Sequence, residues 1–539
     1  MTMTKLRNTL LIGIATGFVS APAFAQEAEE EQRSVFVQPY IEVNQILSAE
    51  LQPGDDVVTF TQIAAGVDVN AQGRNSGASV SVRYERNIGY GDQVDTDTVS
   101  GIARGYVSVI PRALTFEAGG LASRTRVDGG GAVTQNPLVR EDAASQIYSV
   151  YAGPSLNTQV GAVEVSGVAR VGYNRFETEN AVFDQNGDPV DVFDDSVTYN
   201  GQIRAGTRAG DPLPVGVGVT AGIYQEDISN LDQRVRDVFV RGDVTVPVTD
   251  SLALVGGVGY ENVEVSSRDA LRDVNGDPVR GADGRLVTDS ASPRILAFDV
   301  DGLLWDVGVL WRPSSRTSLA ASVGRRYDST TYYGSFNYAP SSRSSFNVNV
   351  YDGVSGFGGR LNNALADLGT DFEALRNPVT GDFGGQVSGA DGGGLVNSLG
   401  SVRSSAFRGR GVNASYQRRI GQSTAVLGAG YDRREFIGAP GTVLAAVDGV
   451  IDESYYIAGG FNRAIGRSAT FAANAYVNWF ESGTDNGDAT GFGASAAYGR
   501  SITSKLTARA ALSVDYIDSE FTAEDFATAT ALLGLRYNF

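Results

Sequence analysis

The stretch that decides the fold reads Leu303-Leu304-Trp305-Asp306-Val307-Gly308-Val309-Leu310-Trp311-Arg312-Pro313-Ser314-Ser315-Arg316. Leu303, Trp305, Val307, Val309 and Trp311 share one parity, and Leu304, Asp306, Gly308, Leu310 and Arg312 share the other. An extended chain with that alternation is greasy on one face and more polar on the other. After the Pro-Ser-Ser-Arg turn, alternation resumes with Leu319, Ala321 and Val323, reaches Tyr327 and turns at Asp328-Ser329-Thr330. One hairpin later Pro340-Ser341-Ser342-Arg343 repeats the same turn, followed by Phe346, Val348 and Val350. The unit is therefore an up-and-down antiparallel meander. Its aromatics sit at strand ends: Trp311 and Tyr338 toward the Pro-Ser-Ser-Arg side, Tyr327 toward the other. A soluble sandwich buries its rings in mid-strand, whereas a bilayer draws them to both headgroup levels and leaves aliphatics between. The stretch predicts the wall of a transmembrane β-barrel.

The rest of the chain obeys the same rule. Tight connections at residues 73–75, 111–112, 156–157, 211–212, 249–250, 421–422, 465–466 and 503–504 alternate with looser ones at 126–143, 177–195, 266–300 and 352–404. Short periplasmic turns and long outer loops give bacterial barrels this asymmetry. Strands ending at the long loops carry Tyr84, Tyr173, Tyr260, Tyr431, Trp479 and Tyr516, and those ending at the short turns carry Tyr416, Phe461, Tyr498 and Tyr537. With Trp311, Tyr327 and Tyr338 they predict two aromatic girdles. Counting alternating segments gives an all-β, up-and-down antiparallel barrel of about 22 strands, even in number because both termini are placed in the periplasm.

Residues 1–25, with Lys5 and Arg7 ahead of an apolar run and Ala23-Phe24-Ala25, read as a secretory signal peptide cleaved before Gln26. Residues 26–33 form a short acidic lead, too short for a lumen-filling plug domain, and residues 34–539 form the barrel. No later stretch supplies the roughly 20 consecutive apolar residues of a spanning helix. The last strand ends Leu535, Tyr537, Phe539 on one face, the kind of aromatic-terminated strand that the outer-membrane barrel-assembly machinery reads. The expected setting is the outer membrane of a Gram-negative cell, with membrane lipid and lipopolysaccharide as neighbours.

Composition removes several functions. The chain has no histidine and no cysteine. It therefore lacks Ser-His-Asp, Cys-His and His-ligated zinc chemistry, and its fold needs no disulfides. No catalytic, cofactor or metal residues are assigned, and no enzyme is expected. A net charge of −19, spread through the loops, excludes nucleic acid as a partner.

Asp68, Arg83, Glu85, Arg104, Glu117, Arg170, Arg204, Arg312, Arg326, Arg509 and Arg536 fall at inward parity. They have two readings. Opposed acidic and basic walls would filter solute, whereas charges on neighbouring strands would pair and hold the wall together, and the second is favoured for most. Residues 360–375 place Leu361, Leu365, Leu368, Phe372 and Leu375 near helical spacing inside the longest loop. This helix either folds inward and constricts the lumen or caps the outer mouth, and both remain open. The near-copies at residues 184–190 and 273–279, each an Asp-x-Asn-Gly-Asp-Pro-Val or close to it, carry oxygens suited to calcium. Their glycine falls early for a calcium loop and Asn-Gly is a strong hairpin signal, so a turn is favoured.

Residues 311–317, Gly324-Arg325-Arg326-Tyr327, Gly334-Ser335, Tyr338 and 350–358 resemble the large outer-membrane β-barrels associated with exosortase/PEP-CTERM and exopolysaccharide systems. The likeness is sharpest over residues 303–359. It implies an outer-membrane protein linked to polysaccharide-export components and supplies no catalytic residues. Similar chains are sometimes named preprotein translocase subunit YajC, but true YajC is short with one membrane helix, which nothing here matches. Together these readings predict porin-like passive passage of hydrophilic solute or exopolysaccharide through a polar lumen. The alternative is a structural or surface-adhesive barrel whose acidic loops close the mouth and bind outer partners.

Overall fold

A computed structural model describes residues 34–539 apart from 91–94, 128–132, 135–143, 179–189, 211, 369–372, 375, 382–386, 389–394, 396–401, 485–486 and 521–524. The signal peptide, the acidic lead, the first Asn-Gly copy (184–189), Phe372 and Leu375 lie outside the described residues.

Among the described residues twenty-three strands pair into one sheet, and one of them, the two-residue Val133–Thr134, only extends a hairpin, which leaves 22 long strands in the wall. They are β1 (Ser34–Gln52), β2 (Val57–Gln72), β3 (Ser76–Gly89), β4 (Thr96–Ile110), β5 (Leu114–Val127), β6 (Ala144–Val160), β7 (Val163–Thr178), β8 (Asp195–Thr207), β9 (Gly216–Ile228), β10 (Gln233–Thr249) and β11 (Leu252–Ser267). The second half comprises β12 (Ile295–Ser314), β13 (Thr317–Arg326), β14 (Ser329–Ser341), β15 (Ser344–Ser355), β16 (Phe407–Ile420), β17 (Ser423–Phe436), β18 (Ile451–Ile465), β19 (Ala469–Glu481), β20 (Ala489–Ser501), β21 (Leu506–Ser519) and β22 (Phe526–Asn538). Each pairs antiparallel with its chain neighbours. The ring closes where β1 meets β22, in register from Tyr40 opposite Asn538 to Ala49 opposite Ala529. Closure removes the free edges that a bilayer could not satisfy.

Alternation explains which face is which. Leu303 is 70% exposed and Trp305 and Val307 point the same way, while Leu304 between them is buried. The exposed apolar row faces lipid and the opposite row faces the lumen. Among the described residues no helix is long and apolar enough to cross a membrane, so the strands do the crossing. The chain is an outer-membrane β-barrel.

Turns on one side are brief. Between β16 and β17 only Gly421 and Gln422 intervene, and between β6 and β7 only Gly161 and Ala162. Gly421 and Gly161 adopt φ of 58° and 62°, a left-handed conformation that the absence of Cβ makes inexpensive. The turn expected at residues 156–157 is thus displaced: β6 continues through Leu156 and Asn157, and the backbone reverses where glycine allows it. The other side carries the long connections 268–294, 356–406 and 437–450.

Exposed outward rings include Tyr84, Tyr173, Tyr260, Trp311, Tyr338, Tyr416, Trp479, Tyr498 and Tyr537. Outward Tyr431 packs on Tyr455 with ring centroids 5.0 Å apart, and Tyr516 stacks on Phe492 at the same distance. Tyr327 is the exception to the expected girdle. It occupies the β13–β14 turn at φ 55°, which swings its ring into the lumen, where it is 5% exposed and its hydroxyl donates to Asp237 at 3.3 Å.

Leu535 and Tyr537 lie on β22 and Phe539 follows its end, with the Tyr537 and Phe539 rings 5.2 Å apart. In the second Asn-Gly copy, Asp273 Oδ1 accepts from the Asn275 and Asp277 amides at 2.8 and 2.9 Å, and Gly276 takes φ 90°. That copy is a turn.

Candidate functional site

The lumen wall is a set of ion-pair clusters spread over neighbouring strands. At the closure seam, Glu42 on β1 receives Arg83 from β3 at 2.5 Å, Arg509 from β21 at 3.0 Å and Arg536 from β22 at 3.4 Å. Arg83 also meets Glu85 at 3.0 Å, Glu85 meets Arg124 at 2.9 Å, and Arg536 meets Asp68 at 3.1 Å. A second cluster joins Arg104, Glu117 and Arg170 across β4, β5 and β7, at 3.2 and 2.6 Å. A third runs from Arg204 to Asp243 to Arg241 to Asp306 across β8, β10 and β12. A fourth holds Arg326 between Asp237 and Glu261 at 2.6 and 2.8 Å.

Ten of the eleven charges expected at inward parity therefore pair across strands. Arg312 stands apart at the short-turn rim, exposed, with its amide donating to the Ser251 carbonyl at 2.7 Å. The pairing reading fits the wall better than opposed walls of one sign. Placed in a barrel whose strands tilt, charges at one depth come from residues of different strands, which is why Glu42 reaches three arginines at once.

The connection between β15 and β16 runs inside this wall. Its helix α1 (Phe357–Asp367) turns Phe357, Leu361 and Leu365 toward β4 to β7, where Ile102, Leu121, Ile147, Tyr151 and Phe176 form an apolar patch on the otherwise wet face. Burial of each such side chain contributes roughly 2 kcal/mol before ordering costs. The helix is also gripped at both ends. Glu226 on β9 accepts from the Gly356 and Gly359 amides at 2.7 and 2.8 Å, satisfying unpaired donors and opposing the positive end of the dipole. Arg104 donates to the Leu365 and Ala366 carbonyls at 3.1 and 2.5 Å, at the negative end. In the middle, the Asn362 amide donates to Ser149 Oγ at 2.7 Å and to Asn174 Oδ1 at 2.8 Å, while its oxygen accepts from Thr198 at 2.7 Å.

Beyond the helix, the chain crosses to the seam. Arg376 donates to Ser81 O at 3.0 Å and Ser100 Oγ at 2.8 Å, and Val379 packs on Ile46, Phe60, Ala511 and Leu532. The return limb is fastened at the outer mouth. Gln233 on β10 donates to Ser404 O and accepts from the Ala406 amide, both at 3.0 Å, and Arg403 reaches Asp452 at 3.1 Å. Asp191 accepts from the Ser404 hydroxyl, the Leu286 amide and Asn230, so one carboxylate gathers four outer connections. Burial pushes the Asp191 carboxyl above the usual carboxylate range, against the lowering effect of those donors.

The segment thus folds inward along adjoining sectors of the wall, from the β4 to β9 side to the closure seam. Of the two placements of the long loop, the structure has the helix folded inward, ending at Asp367 with Leu368 buried just beyond it. Sequence reasoning missed Glu42, Glu226, Asn362, Arg376 and Asp191. Glu42 was legible, since Tyr40, Glu42 and Asn44 alternate with Ile41 and Val43. Ile102, Ile147 and Phe176 at inward parity were a further sign, because apolar groups on a wet face need a partner. Among the described residues no cluster of acidic side chains has the geometry of a metal site.

No protein-family model and no curated protein matches the chain. Among solved structures, the chain is similar to the FrpB iron transporter from Neisseria meningitidis (F5-1 variant), at 11% identity and a TM-score of 0.42, covering 93% of this chain and 82% of that one. It is also similar to the ferric-catecholate import receptor Fiu from E. coli K12 in its open form, at 11% identity and a TM-score of 0.44 over 92% and 81% of the two chains. The ferric yersiniabactin uptake receptor FyuA from Yersinia pestis is similar at 10% identity and a TM-score of 0.42 over 94% and 81%. These likenesses say nothing of the solute.

Proposed function

We propose that the chain is an outer-membrane transport barrel that passes hydrophilic solute by diffusion through a polar lumen, with the in-folded segment 356–406 as its constriction. The observation that carries this reading is helix α1 held inside the wall, capped by Glu226 at one end and Arg104 at the other. A wall of 22 strands is too wide for its own side chains to fill, so the segment governs what passes. The resemblance of residues 303–359 to exopolysaccharide-linked barrels supports polysaccharide or its fragments as the solute. The test is single-channel conductance of the refolded protein in a planar bilayer under a salt gradient, beside a deletion of residues 359–400. Discrete steps that enlarge in the deletion support the reading. Silence in both sinks it.

A structural or surface-adhesive barrel is favoured by one observation, the interlocked outer connections around Asp191, Leu231, Ala270 and Leu444. In that case the deletion leaves conductance at zero while abolishing whatever the outer face binds.

A further inference from the structure

Three strands that descend to the short turns carry the same outward triplet: Tyr416-Gln417-Arg418 on β16, Phe461-Asn462-Arg463 on β18 and Tyr498-Gly499-Arg500 on β20. In each, ring and guanidinium share the parity of exposed Ile420, Ile465 or Ile502, so both face away from the lumen. The arginine lies two residues, about 7 Å, nearer the periplasmic edge than its ring.

The register sets their depth. Arg418 lies opposite Ala425, which lies opposite Phe461, and Arg463 lies opposite Phe471, which lies opposite Tyr498. Each triplet is therefore offset by two residues for every two strands. With strands about 4.8 Å apart and a rise of about 3.4 Å per residue, that offset matches a strand tilt of roughly 35°. The rings then fall at one level and the guanidiniums at another.

The long-loop girdle has the same spacing but a different chemistry. There Tyr84 precedes Arg86, Tyr173 precedes Arg175 and Tyr431 precedes Arg433. Each of these arginines is neutralised: Arg86 by Asp95 at 2.9 Å, Arg175 by Glu177 at 2.7 Å, Arg433 by Glu435 at 3.0 Å. Arg418, Arg463 and Arg500 are exposed and have no ion-pair or side-chain hydrogen-bond partner among the described residues. A chain of net charge −19 repels anionic lipid as a whole, and three unneutralised cations on one sector reverse that field locally.

We propose that the outward strip over β16 to β20 binds the phosphate groups of anionic glycerophospholipids in the periplasmic leaflet. The guanidinium fork matches phosphate oxygens, and the ring above it packs at the glycerol level. Strand geometry sets neighbouring arginines about 12 Å apart, so each serves its own headgroup and the strip holds one lipid per arginine. A zwitterionic lipid brings an ammonium beside its phosphate and binds less. The strip lies on the outer wall and is independent of what the lumen passes.

The test is native mass spectrometry of the refolded full barrel in detergent micelles doped with phosphatidylglycerol or phosphatidylcholine, with folding verified by heat-modifiable gel mobility. The protein is expected to retain phosphatidylglycerol over phosphatidylcholine. R418Q, R463Q and R500Q are each expected to weaken binding roughly fivefold at their own site, lowering the number of retained lipids by about one, and the triple variant to weaken all three sites. R418K/R463K/R500K keeps most of it, and R86Q/R175Q/R433Q leaves it unchanged. Equal retention by the single Gln variants overturns the proposal, as does displacement of the lipid by millimolar inorganic phosphate, which would mark a plain anion site.

Discussion

Glu226 Oε1 on β9 accepts a hydrogen bond from the Gly359 amide at 2.8 Å, joining the barrel wall to a residue 133 positions later in the chain. The other carboxylate oxygen takes the Gly356 amide, so one side chain caps the lumenal helix. Replacing Glu226 by Ala removes both charge-assisted bonds, about 2 kcal/mol of docking free energy. That is a shift of about thirtyfold in the ratio of docked to released helix. Single-channel recording should show larger or more frequent open steps in E226A, and unchanged steps would place the constriction elsewhere.

Space as well as charge holds the helix. A Cβ on Gly172 would lie 1.7 Å from Asn362 Oδ1 and 2.5 Å from Thr198 Oγ1, so Gly172→Ala must displace the Asn362 amide from its partners. The expected loss is about 2 kcal/mol from hydrogen bonds broken in a buried site. Limited proteolysis of the 356–406 segment should quicken in G172A. Gly302→Ala, where a Cβ meets nothing within 4 Å, should leave it unaltered.

The seam is sensitive to a single carboxylate. Glu42→Gln leaves Arg83, Arg509 and Arg536 with a neutral neighbour in place of their shared anion. Breaking one partner of a buried ion-pair network costs about 3 kcal/mol. The urea midpoint of the refolded barrel should fall accordingly. A midpoint equal to the parent's would mean that Asp68 and Glu85 suffice for the three arginines.

Asp191 supplies a pH dependence at the outer mouth. Its carboxyl is raised by burial, so the docked mouth favours the protonated form. A raised folded value means that this contribution to docking is fully present below the unfolded value of about 4 and is lost as pH rises through the folded one. Amide exchange over residues 402–406 should therefore speed up across that rise, beyond the intrinsic pH effect on exchange. In Asp191→Asn the extra acceleration should vanish.

How much of this was legible follows from particular residues. The alternation from Leu303 to Arg312 was local, and local sterics turn such alternation into a two-faced strand whatever surrounds it. The outward rings at Tyr84, Tyr260, Trp311 and Tyr498 were readable for the same reason. Tyr327 was not, because its direction depends on a two-residue turn at positive φ rather than on strand parity. The seam cluster was half legible: Glu42, Arg83, Arg509 and Arg536 all show inward parity. Which of them meet depends on how far each strand is sheared against the next.

The sequence by itself determined the barrel, its girdles, its asymmetry of turns and the pairing habit of its inward charges, since each follows from a repeat of two residues against a bilayer. Only the tertiary structure decided that the longest connection lies inside the wall. Glu226 and Gly359, Arg104 and Ala366, Arg376 and Ser81 are distant in sequence, and closing the ring is what brings them together. Their bonds satisfy helix ends and the donors of the in-folded segment, which no local pattern encodes.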